Sequence, residues 1–185
     1  MASTDRRARE RAERHHRIVT SARDLAEADG WAAVTTRRLA DEIEYTPPVL
    51  YQHFPDGRDG VVTAVAVLGF EEFTVTARAA VDGGGDPLVA LVDAYLAFAR
   101  AHPATYEAMF SLAVGVPFAS ESTPAALTAA FDVIVDAIGP DRDDAGVRAE
   151  LLWSTLHGLC ELERHSRLDP QQADARRALA ITQAR

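Results

Sequence analysis

The 185-residue sequence predicts an all-α protein. Three observations carry this. Apolar residues recur at helical spacing along almost the whole chain, alternating strand patterns are nearly absent, and helix punctuation separates the periodic runs. That punctuation takes the form of Thr or Asp caps, Pro at first helical positions and Gly just past the ends. About nine helices are expected, three short ones followed by longer ones.

A first helix is expected from about Arg9 to Asp29, with Ile18, Ala22, Leu25 and Ala26 on one stripe and Gly30 past its end. Trp31 and Val34 form a link that packs back on the core. Thr35 N-caps a second helix whose Leu39, Ala40 and Ile43 face inward. Thr46 N-caps a third, with Pro47 at the first position, where its fixed φ suits the helix and its missing N–H costs nothing. His53-Phe54-Pro55-Asp56-Gly57 closes that element. A long helix follows over about Asp59–Val81 and ends in Gly83-Gly84-Gly85, and Asp86-Pro87 starts the next. His102-Pro103 breaks that one, and a shorter helix covers Tyr106–Leu112. Gly115–Thr123 is the least regular stretch. Helices beginning at Thr123-Pro124, at Asp144 (running to about Leu168) and at Asp169-Pro170 complete the chain.

Composition bounds the function. Hydrophobic residues make up 48% and charged residues 25%, the balance of a globular protein. No apolar run reaches the roughly 18 residues of a membrane span, and the amino terminus lacks the apolar core of a secretory signal, so the expected address is the cytoplasm without membrane attachment. Cys160 is the one cysteine, which excludes an internal disulfide and a cysteine-rich zinc module. Charge is distributed unevenly. Residues 1–60 hold 10 Arg against 11 acids, a net −1, whereas residues 61–185 hold 9 Arg against 17 acids, a net −8. Residues 1–23 carry seven Arg and three acids, a local +4, and the chain has no Lys. Every fixed cation is therefore a guanidinium, the group shaped to grip phosphate or a base edge. A basic segment on an acidic body fits a nucleic-acid contact at one end and another task at the other.

Two short helices joined by a tight turn behind a supporting first helix make helix-turn-helix geometry. Here they are Thr35–Ile43, the turn Glu44-Tyr45 and a recognition helix Thr46–His53. The stretch Val34-Thr35-Thr36-Arg37-Arg38-Leu39-Ala40 followed by Thr46-Pro47-Pro48-Val49-Leu50-Tyr51-Gln52-His53-Phe54 resembles the signature of the TetR family of bacterial transcriptional regulators. The resemblance covers residues 10–65, with Leu50-Tyr51-x-His53-Phe54 its strongest element. Near the other end, Leu152-Trp153-Ser154-Thr155-Leu156-His157-Gly158-Leu159 looks like the Trp-His-Gly (WHG) pattern of one TetR-type C-terminal domain. The resemblance implies a flexible basic arm at 1–8, a DNA-binding domain at 9–58, and a helical ligand-binding and dimerisation domain at 59–185.

The candidate DNA-facing residues are Thr35, Thr36, Arg37, Thr46, Pro47, Pro48, Val49, Tyr51, Gln52, His53 and Arg58. Arg37 has the fork for a bidentate pair to guanine O6/N7, and Gln52 can pair with adenine N6/N7. Pro47, Pro48 and Val49 offer apolar contacts to thymine methyls. By resemblance, Tyr51 and His53 touch backbone phosphates, which fix register without reading sequence. Leu39, Leu50 and Phe54 belong to the small core. Three departures from the family pattern stand out. Glu44 occupies the usual turn glycine, Gly57-Arg58 replaces a Lys and leaves Arg58 to supply a phosphate contact, and two adjacent prolines remove N–H groups from the recognition helix's first turn. Arg6, Arg7, Arg9, Arg11 and Arg14 can compensate as a salt-sensitive arm.

The resemblance also implies a two-fold homodimer, through helices about 144–168 and 170–183, that spaces two recognition helices for a near-palindromic operator on double-stranded DNA. Tyr95, Phe98, Tyr106, Met109, Phe110, Phe118, Phe131, Trp153 and His157 can line an apolar pocket for a small-molecule effector, and the same residues equally suit a helical core. Ligand binding there would shift DNA affinity, most simply releasing a repressor. A rival is a metal- or small-molecule-binding helical protein using His157, Cys160, Glu161 and His165. Ligands at i, i+4 and i+8 spread over about 12 Å of one helix, too far for one ion without help from elsewhere. No phosphate loop, Gly-x-Ser-x-Gly motif or catalytic carboxylate pair is present, so neither an enzyme nor a cofactor is expected.

Overall fold

The computed structural model describes residues 2–112, 117, 118 and 120–185. Among them the chain is all-α: nine α-helices, two 3₁₀ turns, one π-helical turn and no strand. The helices are α1 (Ala2–Asp29), α2 (Thr36–Glu42), α3 (Pro47–His53), α4 (Arg58–Asp82), α5 (Pro87–Ala101), α6 (Pro103–Glu107), α7 (Ala125–Ile138), α8 (Ala145–Arg164) and α9 (Ala173–Ala184). Two compact units result. One comprises residues 1–69 and 102–116, the other 70–101 and 117–185.

In the first unit, α1 to α3, the start of α4 and α6 surround one core. Ile18, Ala22, Trp31, Val34, Leu39, Ile43, Leu50, Phe54, Val61 and Val65 are all buried there. Thr35 caps α2 as its sequence position requires, its hydroxyl accepting a bond from the Arg38 amide at 3.1 Å. Thr46 caps α3 by position alone and its side chain makes no cap bond. With Pro47 and Pro48 in the first turn, few amide donors remain there to be capped. The amino end of α6 is held from α1. The Glu27 carboxylate accepts bonds from the Ala104 and Thr105 amides at 3.0 and 2.9 Å and from the Thr105 hydroxyl at 2.7 Å. The Trp31 indole donates to the Ala104 carbonyl at 2.8 Å.

The second unit packs α5, α7, α8 and α9 with the later half of α4. Phe73 lies edge-on to Tyr95 and Phe98, with ring centroids 5.4 and 5.6 Å away, and Leu91, Val92, Val133, Leu152 and Leu156 fill the interior. Asp86 caps α5 through Leu88 and Val89, and Pro87 takes the first helical position.

Several boundaries differ from expectation. Helix α1 runs back to Ala2 instead of starting near Arg9, so the expected basic arm is continuous with it. Pro103 opens α6 three residues ahead of the expected Tyr106, and the expected stretch to Leu112 continues as a π-helical turn over Ala108–Leu112. Helix α8 stops at Arg164, short of Leu168, because Ser166 adopts a left-handed conformation (φ 54°). Bonds from the Ser166 amide to the Glu163 carbonyl and from the Arg167 amide to the Leu162 carbonyl close the end. The irregular stretch expected over Gly115–Thr123 lies partly outside the described residues. By length and composition alone, α4 passes as a candidate membrane span, although its uninterrupted uncharged run covers only residues 60–70. Its buried side chains nevertheless sit in protein cores, Val61, Val62 and Val65 in the first unit and Phe70, Phe73 and Ala77 in the second.

Candidate nucleic-acid interface

The α2–α3 pair presents two faces of opposite character. Leu39, Ala40, Ile43, Leu50 and Phe54 are buried, while Thr35, Arg37, Thr46, Pro47, Pro48, Tyr51 and Gln52 are exposed and Thr36, Val49 and His53 half-buried. The turn joining the helices ends α2 with paired backbone bonds, from the Glu44 amide to the Asp41 carbonyl and from the Tyr45 amide to the Ala40 carbonyl. This closure demands a left-handed residue, and Glu44 supplies it at φ 59°. A side chain in that region costs about 1–2 kcal/mol that glycine avoids. Glu44→Gly is therefore expected to raise stability by about 0.5–1 kcal/mol after glycine's own entropy cost, measurable as a higher urea midpoint at unchanged slope.

At Arg58, where a phosphate contact was expected, two of the guanidinium nitrogens bond inward. Its Nε bonds the Val34 carbonyl at 3.1 Å and a terminal nitrogen bonds the Trp31 carbonyl at 3.0 Å, with the guanidinium 6.0 Å from the Trp31 ring. In this geometry it holds the link that leads into α2. Arg17 on α1 lies 5.4 Å over the Tyr45 ring and steadies the turn from the other side.

A pair of histidines borders the recognition helix. His15 of α1 stacks against Phe54 with ring centroids 4.7 Å apart and lies 6.3 Å from the ring of His53, in the last turn of α3. Burial first, then the nearby Arg charges, hold both imidazoles below their ordinary pKa of 6.5: Arg11 acts on both rings, Arg14 on His53 and His16 on His15. The Nδ1 atom of His53 is buried without a hydrogen-bond partner among the described residues. His15 was not visible as a site residue in the sequence, because its neighbour Phe54 lies 39 positions away. Glu27 was missed for the same reason, since its partners are 77 and 78 positions away.

The nine candidate ligand residues fall into separate groups. Tyr106, Met109 and Phe110 belong to the first unit, where the Tyr106 and Phe110 rings lie 4.7 Å apart. Tyr95 and Phe98 are core residues of the second unit. In that unit Phe118 and Phe131 flank Trp153 at 5.9 and 6.4 Å, and half-buried His157 lies one helical turn further along α8. Burial lowers the His157 pKa while Glu161 acts in the opposite sense. The rival set does not assemble. Among the described residues no three His, Cys, Asp or Glu side chains come together to hold a metal, and Nδ1 of His165 lies 2.8 Å from the carbonyl of Glu161.

Comparison with known proteins decides the family. Residues 18–65 match the model described as "Bacterial regulatory proteins, tetR family", and residues 88–184, just over half the chain, match "Tetracyclin repressor-like, C-terminal domain". The chain belongs to the TetR family. It is 29% identical over 163 residues to an uncharacterised HTH-type transcriptional regulator, Rv0681, of Mycobacterium tuberculosis, covering 85% of this chain and 73% of the relative. Among solved structures it resembles a protein of unknown function from Rhodococcus sp. RHA1, with a TM-score of 0.75, 24% identity and 92% of each chain covered. It also resembles a candidate regulatory protein, SCO4313, with a TM-score of 0.67, 25% identity and 96% of each chain covered. As a TetR-family protein this chain is a DNA-binding transcriptional regulator and not an enzyme, and α2–α3 is its helix-turn-helix.

Proposed function

We propose that this regulator is a dimeric repressor whose α2–α3 pair reads one half of a near-palindromic operator, and that a small, mainly apolar ligand in the second domain releases it. The observation that carries the DNA reading is the outward row of Arg37, Pro48, Tyr51 and Gln52 over a buried Leu39, Leu50 and Phe54. Of these, Arg37 and Gln52 have the chemistry to read base edges. The functional division keeps residues 9–58 as the DNA-binding domain and 59–185 as the ligand-binding and dimerisation domain, with the protein acting in the cytoplasm beside its DNA.

The dimer reading is supported by an apolar row on α8. Val147, Leu151 and Leu162 are 61%, 64% and 45% exposed, spaced so that they share one face with Ser154 and Gly158. Nothing lies within 4 Å of where a side chain on Gly158 would begin, so a partner helix can approach closely there. Leu179 of α9, 61% exposed, adds a second apolar position. The ligand reading is supported by Phe118, Phe131, Trp153 and His157, an aromatic set with one polar handle, in which Trp153, His157 and Gly158 also make up the WHG pattern.

The test is a titration of a labelled duplex from the intergenic region beside the protein's own gene, with random duplex as competitor. Arg37→Ala is expected to weaken specific binding by about tenfold to a hundredfold, as loss of a bidentate base contact would, with an unchanged melting temperature. Wild-type and Arg37→Ala proteins of equal affinity would overturn the assignment of α2–α3 as the reading element.

A further inference from the structure

We propose that Gly57 is a positioning residue for DNA binding, which by carrying no side chain gives the hydroxyl end of Tyr51 a fixed seat between the first turn of α2 and the start of α4. The inference rests on the DNA-binding reading above and deepens it, because it names a residue that acts through Tyr51 without itself touching DNA.

Gly57 is buried, although Pro55 and Asp56 just before it in the turn are exposed. Its backbone is held from both sides. The amide donates to the Phe54 carbonyl at 2.9 Å, closing the turn after α3, and the carbonyl accepts from the Val61 amide at 3.2 Å, opening α4. The next residue, Arg58, is bonded to the Trp31 and Val34 carbonyls. Between these bonds Gly57 takes a left-handed conformation, φ 60°. Around the place where a Cβ would stand, Cε1 of Tyr51 lies at 3.4 Å and the Thr36 methyl at 3.9 Å. Cε1 is next to the ring atom that bears the hydroxyl. The phenol end of Tyr51 therefore rests where a side chain on residue 57 would grow, while the residue remains 50% exposed.

A bare Cβ at position 57 meets the ring at ordinary contact distance. A longer side chain competes with the ring for the same space, and with the backbone bonded on both sides the ring is what gives way. Seated against Gly57, the hydroxyl is placed before DNA arrives, and a contact made by a pre-placed group avoids the ordering cost of a free side chain. This also gives a physical sense to the departure at the start of α4, where Gly57-Arg58 replaces a Lys. In this chain the space beside Tyr51 belongs to its ring.

Fluorescence anisotropy with a random-sequence duplex of about 30 base pairs at low ionic strength tests this, because backbone contacts need no operator. Strain and positioning predict opposite orders for two substitutions. Asparagine tolerates the left-handed region better than alanine, so strain alone makes Gly57→Ala the more damaging change. Positioning makes Gly57→Asn the more damaging one for DNA, because its amide reaches past Cβ into the ring. Affinity is expected to fall about tenfold in Gly57→Asn and no more than about threefold in Gly57→Ala, although alanine lowers the urea midpoint further. Tyr51→Ala should itself lose about tenfold. Adding Gly57→Asn to it should cost no more than about a further twofold, where independent effects would multiply to about a hundredfold. In Gly57→Asn the slope of log affinity against log salt should stay that of wild type, since no cation is removed. Equal affinities of Gly57→Asn and wild type, a greater loss in Gly57→Ala than in Gly57→Asn, or effects that multiply with Tyr51→Ala would each overturn the positioning role while leaving the DNA-binding reading intact. Wild-type protein that binds no duplex at any salt concentration would sink both.

Discussion

Leu151→Glu is expected to yield a folded monomer that has lost operator binding by about a hundredfold or more. Leu151 is 64% exposed, so a carboxylate there disturbs no interior contact of the protomer. In a two-fold dimer the same residue meets its counterpart or that counterpart's neighbours, and two new carboxylates would face one another on a surface from which water must be removed. On the proposed dimer, DNA binding suffers through geometry, because its two recognition helices engage half-sites roughly 34–36 Å apart on one piece of DNA. Severing the link forfeits the effective concentration of the second head, worth about 10²–10⁴ in affinity. Sedimentation velocity with a melting curve separates the outcomes. A dimer that persists in the variant would rule out the α8 face as the interface.

The second large effect concerns Gly69. A Cβ placed there would come within 2.7 Å of the Thr105 methyl and 2.8 Å of the Met109 sulfur, distances that real side chains do not tolerate. Met109 is flexible, but Thr105 is not free to give way. It is 1% exposed, and its amide and hydroxyl are both held by Glu27. Gly69→Val must therefore push α6 away from α4 or break the Glu27 bonds. Overpacking of this kind costs about 1–3 kcal/mol, and added loss of charge-assisted bonds takes the expected figure to about 3 kcal/mol. That amounts to a fall in melting temperature of about 6–12 °C for a chain of this length. Partial rescue by Thr105→Ser, which removes the clashing methyl but keeps the hydroxyl for Glu27, would tie the effect to this contact. Wild-type stability in Gly69→Val would show that the α4–α6 approach is looser than described.

The helix-turn-helix was legible in the sequence because its signals are local. Thr35, Thr46, the proline pair and the inward spacing of Leu39, Ile43 and Leu50 all act within a few residues. The ends of α1 and α8 were harder for a physical reason. A helix continues wherever nothing stops it, and the stop after α8 is a serine in a conformation normally signalled by glycine. The aromatic set could be listed but not sorted, since period alone cannot separate Tyr95, packed on Phe73, from Phe118, which is 43% exposed. Arg58 shows the limit from another side. Its residue type suits phosphate, and only the positions of the Trp31 and Val34 carbonyls reveal that two of its nitrogens are already engaged. His15 and Glu27 depend on partners brought near by the fold, and no spacing rule announces them.

The chain contains two tryptophans, and each unit has one. Trp31 is enclosed in the first core with its indole bonded to the Ala104 carbonyl, whereas Trp153 stands half-buried among the phenylalanines of the second unit. The molecule thus carries an intrinsic fluorophore for each half, in surroundings different enough to emit at different wavelengths. In a Trp153→Phe protein the remaining emission follows the DNA-binding half alone, and in Trp31→Phe it follows the other. Unfolding of the two halves can then be watched separately without attaching a dye.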